Sequence, residues 1–348
     1  MTIQLSLKSV DKFYGPVGKG VHAVKDITMD VPKGDIIALL GSSGCGKTST
    51  LRMIAGFEAV SRGTIELAGK QVQTLPPVRR NVAMAFEGYS LYPTVTVRDN
   101  IAFALKASRL AEAEVARRVG HVAEMLEITD ILDRFPFSIS GGQQQRASLA
   151  RALVRDADLH LLDEPMGQLE PQLRTLLRGR IKHYIKERGL TAILVTHDQH
   201  EAFSMADRIG VMNAGELQQW GSSYSLYHQP NSRMVADFIG QGVFLPGQKT
   251  GNGLQIELAH IVLPEDQLPA SEHFDVLIRP DDIIHDNASP MQAKVVRKAF
   301  RGADFLYTLE LDSGVQVLAL VPSHHNHAIG EPIGIKLELD HVITFERT

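Results

Sequence analysis

Polar and apolar positions divide this chain into two stretches of different periodicity. Up to about Gly240, short apolar runs alternate with longer amphipathic segments. Ile3 to Val10 and Val24 to Val31 read as strands, with the glycine-rich stretch Gly15–Gly20 between them. Pro32-Lys33-Gly34-Asp35 reads as a turn, and Ile36–Leu40 as a buried strand, being short and continuously apolar. Ser49–Phe57 has helical character, and the segment from Leu105 to Phe135 is helical and charged. Two further apolar runs, Leu159–Leu162 and Ala192–Val195, end in Asp163-Glu164-Pro165 and Thr196-His197-Asp198. Strands separated by helical segments predict an α/β core with a largely parallel sheet.

Beyond Gly240 the period shortens. Phe274–Ile278, Phe305–Leu311, Val315–Val321 and Ile333–Leu339 are strand-like, and Asp312-Ser313-Gly314 is a three-residue hairpin signal. This tail predicts a small all-β domain. The chain's 348 residues are enough for two domains, each with its own core.

Composition narrows the function classes. Hydrophobic residues at 44% and charged residues at 22% are ordinary for a soluble globular protein. A formal net charge of −4 gives no basic field, so nucleic acid is not an expected partner. The single cysteine, Cys45, excludes an internal disulfide framework and fits a reducing compartment. The N-terminal segment alternates like a strand and lacks a signal-peptide layout, and no apolar run approaches the roughly 20 residues of a membrane-spanning helix. Any membrane role is therefore expected to come through a partner.

Gly41-Ser42-Ser43-Gly44-Cys45-Gly46-Lys47-Thr48 matches the phosphate-binding loop pattern, after a strand and before a helix. Glycines let successive N–H groups turn toward phosphate oxygens, and the following helix, from Ser49, presents its N-terminus to the anion. Lys47 is placed to reach the β- and γ-phosphates of ATP, and the Thr48 hydroxyl to ligate Mg²⁺. Asp163, at the end of an apolar run, is a second candidate Mg²⁺ ligand, and Glu164 is positioned to polarise the attacking water. Cys45, inside the loop, is expected to react with a bulky thiol reagent unless ATP protects it.

Ser140-Gly141-Gly142-Gln143 lies a short distance before the Asp163-Glu164 pair. With the loop and this segment together, the chain resembles the ATP-binding cassette (ABC) proteins. The resemblance implies that Ser140, Gly141, Gly142 and Gln143 form the family's signature, which closes over ATP held by the loop of a second cassette. It also implies that Tyr14 stacks on adenine and that His197 is the switch histidine at the γ-phosphate. The expected fold is a P-loop ABC cassette over residues 1–238, with a helical subdomain at about 88–155. A β-rich OB-like (TOBE-type) regulatory domain follows over 239–348, resembling that of maltose- and ferric-ion-type importer ATPases; Ile278-Arg279-Pro280-Asp281-Asp282 is similar to a recurrent segment of it. The implied partners are a second ATPase subunit, in a homodimer or heterodimer, two transmembrane permease subunits and, indirectly, a solute-binding protein. The implied location is the cytoplasmic face of the membrane.

Two positions depart from the family pattern. Glu87 stands where a glutamine usually approaches Mg²⁺ and the attacking water, so it joins the candidate catalytic and metal residues. Met166-Gly167-Gln168-Leu169-Glu170 replaces the usual loop, putting Glu170 where an aspartate meets its counterpart across the dimer. Both are compatible with an intact ATPase, or with a weakened cassette acting as the regulatory half of an asymmetric pair. A soluble, non-transport ABC ATPase is a third class, disfavoured by the single loop, the absence of sustained heptads and the single cysteine. The transported solute stays open: one part of the chain looks like carbohydrate and polyol importers, another like ferric-ion importers. His324, His325 and His327 read as a solvated loop, because their spacing lacks a helical i,i+4 ligand pair or a clear carboxylate partner.

Overall fold

The structure is a computed structural model that describes residues 2–15, 20–86, 88, 90–106 and 110–347. Its contacts separate two compact units, Met1–Ser223 and Tyr224–Thr348. The division falls earlier than the 238/239 boundary read from the sequence, because contacts group the helix Arg233–Ile239 with the β-rich unit. Arg279 donates to Ala236 O, Gly240 O and Gln241 O at the end of that helix.

Among its described residues, the first unit holds two sheets. One is antiparallel, in the order Val21–Pro32, Ile3–Tyr14, Arg62–Leu67, Lys70–Gln71. The other has six strands in the order Glu216–Gly221, Arg208–Asn213, Ile36–Gly41, Ala192–Thr196, Leu159–Asp163, Val82–Ala85. All its neighbours are parallel except the first pair. Ile36–Gly41, Leu159–Asp163 and Ala192–Thr196 are buried at every residue, as strands covered on both faces must be. Register aligns Leu40 with Thr196 and Asp163 with Val195, so the three segments leave the sheet at one carboxyl edge. Ligands of open parallel sheets bind at that edge.

Helix Lys47–Ala55 is bounded by glycines in the left-handed region, Gly46 at φ 103° and Gly56 at φ 86°. Its C-terminal carbonyls Met53 O and Ile54 O accept from the buried Arg80 guanidinium, which also donates to Leu75 O and Gln73 O. A Cβ on Gly56 would lie 2.6 Å from Arg80 Nε, so the glycine is also needed for that contact. Of the charged stretch Leu105–Phe135, the α-helix is Glu112–Met125 with a short 3₁₀ turn at Thr129–Ile131; helix Val97–Lys106 largely precedes it and helix Gly141–Leu153 follows.

The second unit is all-β apart from short helices at its start and one 3₁₀ turn. Its strands form two five-stranded antiparallel sheets. Asp304–Glu310 and Gln316–Pro322 alternate buried and less buried positions, the period-two pattern expected of them. They pair antiparallel around Asp312-Ser313-Gly314, with Gly314 at φ 85°. Phe274, Tyr307, Val276, Val295 and Val317 anchor the unit's core.

Candidate nucleotide site

The loop Gly41–Lys47 continues directly from the fully buried strand Ile36–Gly41. Ser42, Ser43 and Gly44 are exposed, whereas Gly41, Cys45 and Lys47 are buried. A Cβ on Gly41 would stand 2.3 Å from Met212 O and 2.6 Å from Cys45 Sγ, and one on Gly46 2.6 Å from Ala23 O. Backbone crowding, added to the positive φ at Gly44 and Gly46, explains why this turn takes glycine there.

Lys47 Nζ donates to Gly41 O and Ser42 O, each at 2.8 Å, and lies 3.7 Å from Cys45 Sγ. It is 5% exposed and, among the described residues, is hydrogen-bonded only to neutral acceptors. A buried ammonium so placed suits an anion, and helix Lys47–Ala55 starts at the same point. Thr48 Oγ1 donates to Asp163 Oδ1 at 3.1 Å, bringing a hydroxyl and a carboxylate from distant segments together. That oxygen pair fits a hard divalent cation of the magnesium kind. Tyr14 is partly exposed, its hydroxyl 3.1 Å from Ser49 Oγ, with Lys12 Nζ 4.7 Å from its ring centroid.

Glu164 occupies a left-handed backbone position at φ 45°, and its N–H donates to Val195 O. Its Oε1 lies 2.9 Å from Nδ1 of the exposed His197. Ser140 caps helix Gly141–Leu153 in a capping box: its Oγ accepts from Gln143 N, and Gln143 Oε1 accepts from Ser140 N. Gly142 has no backbone crowding closer than 3.5 Å, to Gln168 O. Glu170 is exposed and precedes helix Pro171–Glu187 without a side-chain cap bond. Glu87 lies outside the described residues.

Cys45 is 3% exposed, against the expectation of a thiol open to a bulky reagent. Its side chain turns inward between Gly41 and Lys47, so alkylation requires the loop to open. Gln145 and Arg174 are links that the sequence reading passed over. Buried Gln145 donates to Glu164 O at 2.9 Å and accepts from Gln168 N at 3.0 Å, tying the helix Gly141–Leu153 to the segment after the carboxylate pair. Arg174 reaches Gly167 O, Leu169 O and Asp198, joining that segment to the residue after His197. Only the run of glutamines after Gly142 hinted at the first link; nothing local hinted at the second.

Asp198 caps the helix Gln199–Met205, accepting from Glu201 N at 3.0 Å. Glu201 itself is buried, accepting from Thr196 Oγ1 at 2.6 Å, and burial pushes its carboxyl up to about 7.

A phosphate-loop ATP-binding cassette is the class that this fold and edge define. The family model described as "ABC transporter" matches residues 24–167, and that described as "TOBE domain" matches residues 276–345. The sn-glycerol-3-phosphate import ATP-binding protein UgpC of Vibrio cholerae is 39% identical over 97% of this chain and 86% of its own length. The spermidine/putrescine import ATP-binding protein PotA of Rubrobacter xylanophilus is 38% identical over 91% of this chain and 86% of its length. Among solved structures, the dimeric bacterial ABC transporter cassette MJ0796 superposes with a TM-score of 0.58 at 26% identity, covering 63% of this chain and 98% of its own. This chain belongs to the ABC transporter ATP-binding family, among the importer ATPases that carry a C-terminal TOBE domain. Membership implies nucleotide binding and hydrolysis, a partner ATPase and membrane permeases, with this chain peripheral to the membrane. Among the described residues, no helix is long and apolar enough to cross a membrane.

Proposed function

We propose that this chain powers uptake of a small organic solute, of the carbohydrate, polyol or polyamine class, from the cytoplasmic face of the membrane. The full-length relatives named for import of sn-glycerol-3-phosphate and of spermidine and putrescine support that substrate class. The carrying observation is the Thr48–Asp163 contact at 3.1 Å beside the buried Lys47 ammonium.

The N–H groups of Gly41–Thr48 and the Lys47 ammonium bind the phosphates, and the Tyr14 ring takes the adenine. Mg²⁺, held by Thr48 and Asp163 with Glu87 as a further candidate, would neutralise phosphate charge. Glu164 accepts the proton of the attacking water, and His197, 2.9 Å away, orients that carboxylate and reaches toward the γ-phosphate. Ser140, Gly141, Gly142 and Gln143 complete the site of a second cassette, through the helix N-terminus that the capping box holds open to solvent. Functionally, the cassette extends over residues 1–238 with its helical part at about 88–155, and the regulatory domain over 239–348.

Exposed aromatics support a permease-docking face near the helix Val97–Lys106. Tyr92 and Phe103 are exposed, with ring centroids 5.0 Å apart, and Arg151 lies 5.6 Å from the Tyr92 ring. The test is single-turnover hydrolysis in Glu164→Gln. ATP binding with hydrolysis lowered about 10³-fold is expected; unchanged hydrolysis would remove Glu164 from its role.

A further inference from the structure

Three imidazoles meet in the β unit, and none of them belongs to the groups assigned above. His285 ends the strand Ile283–His285, while His325 and His327 follow the strand Gln316–Pro322. One nitrogen from each lies within 4.8 Å of the other two. The His285 ring centroid is 4.6 Å from that of His325 and 4.8 Å from that of His327.

The expected lack of a carboxylate partner is corrected by the fold. Glu331 Oε1 lies 2.8 Å from His327 Nδ1, and the Ala328 N–H donates to Glu331 Oε2 at 2.7 Å. An ionised carboxylate can only accept, so Nδ1 of His327 carries a proton, and in the neutral ring Nε2 is the nitrogen left with a lone pair. That Nε2 is buried and, among the described residues, has no hydrogen-bond partner; the same is true of His285 Nε2. Two buried, unpartnered ring nitrogens, Nε2 of His285 and Nε2 of His327, thus sit in one cluster with a third imidazole, and Glu331 orients the His327 ring from behind. Carboxylate-backed histidine is the arrangement that surrounds protein-bound zinc.

The loop is held from beneath as well. Tyr307, fully buried, donates its hydroxyl to His325 O at 2.9 Å and accepts from His327 N at 3.0 Å. Lys298 Nζ donates to Asn326 Oδ1 and His327 O.

We propose that His285, His325 and His327 form a binding site for a late first-row divalent cation, zinc foremost, on the β unit. Neutral imidazoles suit such an ion, whereas magnesium and calcium prefer oxygen. Three nitrogens leave a further position for water or a small ligand, the pattern of an open rather than a closed structural site. Occupancy links the strand Ile283–His285 to the 322–331 loop, so free cation concentration is converted into stability of this unit. The site does not depend on the nucleotide reading, and MgATP affinity measured on the same samples tests that reading separately.

The test uses the full chain, freed of metal by a chelator and titrated with Zn²⁺ against a chromophoric competitor without ATP. Zinc taken up at the nucleotide edge is common to all variants, so differences isolate the trio. Wild type is expected to bind one tight equivalent more than the His285→Ala/His327→Ala double variant, and to gain a zinc-dependent rise in melting temperature that the double variant lacks. Glu331→Gln, which keeps the ring and its volume, should weaken that equivalent by roughly 10–100-fold. His324→Ala, on the exposed neighbour, should leave it unchanged. Equal zinc stoichiometry and affinity in wild type, the double variant and Glu331→Gln would overturn the proposal; so would loss of the equivalent in His324→Ala. Should the double variant misfold by circular dichroism, Glu331→Gln decides alone.

Discussion

The phosphate loop and the histidine trio occupy different units and are built in opposite ways. In the loop, the groups proposed to hold the anion belong to the continuous run Gly41–Thr48 and are in large part backbone N–H. Its geometry is set locally, by glycine conformation and by the strand and helix on either side. In the trio, His285 and the 325–327 segment meet only because Ile283–His285 pairs with Pro332–Leu337 and Tyr307 pins the loop. The first site is expected to tolerate change in surrounding side chains but not in Gly41 or Gly46. The second tolerates little change in register.

The largest predicted effect falls on chemistry at the loop's edge. Lys47→Ala and Glu164→Gln should each lower kcat for ATP hydrolysis by about 10³-fold or more, while zinc uptake by the β unit stays at the wild-type level. A zinc defect in either variant would break the independence of the two sites. Gly46→Ala forces a Cβ to 2.6 Å from Ala23 O at φ 103°. Its ATP affinity, read by fluorescent-nucleotide titration, should fall by about 10–100-fold, equivalent to roughly 1–3 kcal/mol of backbone strain. Wild-type affinity would show that the loop's conformation is not what binds phosphate.

Arg80 and Arg279 sharpen the comparison through a shared device. Each buries a guanidinium against the last carbonyls of a helix, Lys47–Ala55 in the first unit and Arg233–Ile239 in the second. Burial lowers both below the ordinary arginine value; backbone carbonyls accept from Nε and both terminal nitrogens of Arg80 but only from the terminal nitrogens of Arg279. Arg80→Met should destabilise the first unit and Arg279→Met the second, each by about 2–4 kcal/mol. Chemical denaturation with probes in each unit reads the two separately, and the same transition moving in both variants would contradict the division. Only Arg80→Met should also weaken nucleotide binding, through the helix it caps.

The smallest effect is a pH dependence. Burial raises the Glu201 carboxyl from 4.5 to about 7, so the folded chain keeps a proton that the unfolded chain releases between those values. Its stabilising contribution is complete below about pH 4.5 and is lost as pH rises through about 7. Glu201→Gln should flatten the fall in stability across that window and leave the variant up to about 2 kcal/mol more stable at pH 8. An unchanged profile would mean that Glu201 is solvated in solution.

Much of the cassette was legible because its signals are local. Strand Ile36–Gly41, the loop and the Ser140 capping box each follow from neighbours a few residues apart. Cys45 misled because the pattern gives its position in the loop but not the inward turn of its side chain. The Gln145 and Arg174 links escaped because each bridges segments that only the tertiary fold brings together.

Sequence by itself determined the α/β and β-rich division, the phosphate loop and the residues offered to ATP and its cation. Short-range periodicity and backbone requirements are written into consecutive residues, so they survive without the fold. Tertiary structure decided that Thr48 and Asp163 touch, that Glu201 is buried against Thr196, and that a loop read as solvated lies beside a third histidine and a carboxylate. The Thr48–Asp163 and His285–His325–His327 contacts join residues far apart in the chain, and the burial of Glu201 and the His327–Glu331 pair, though close in sequence, also depend on packing and register that no local pattern encodes.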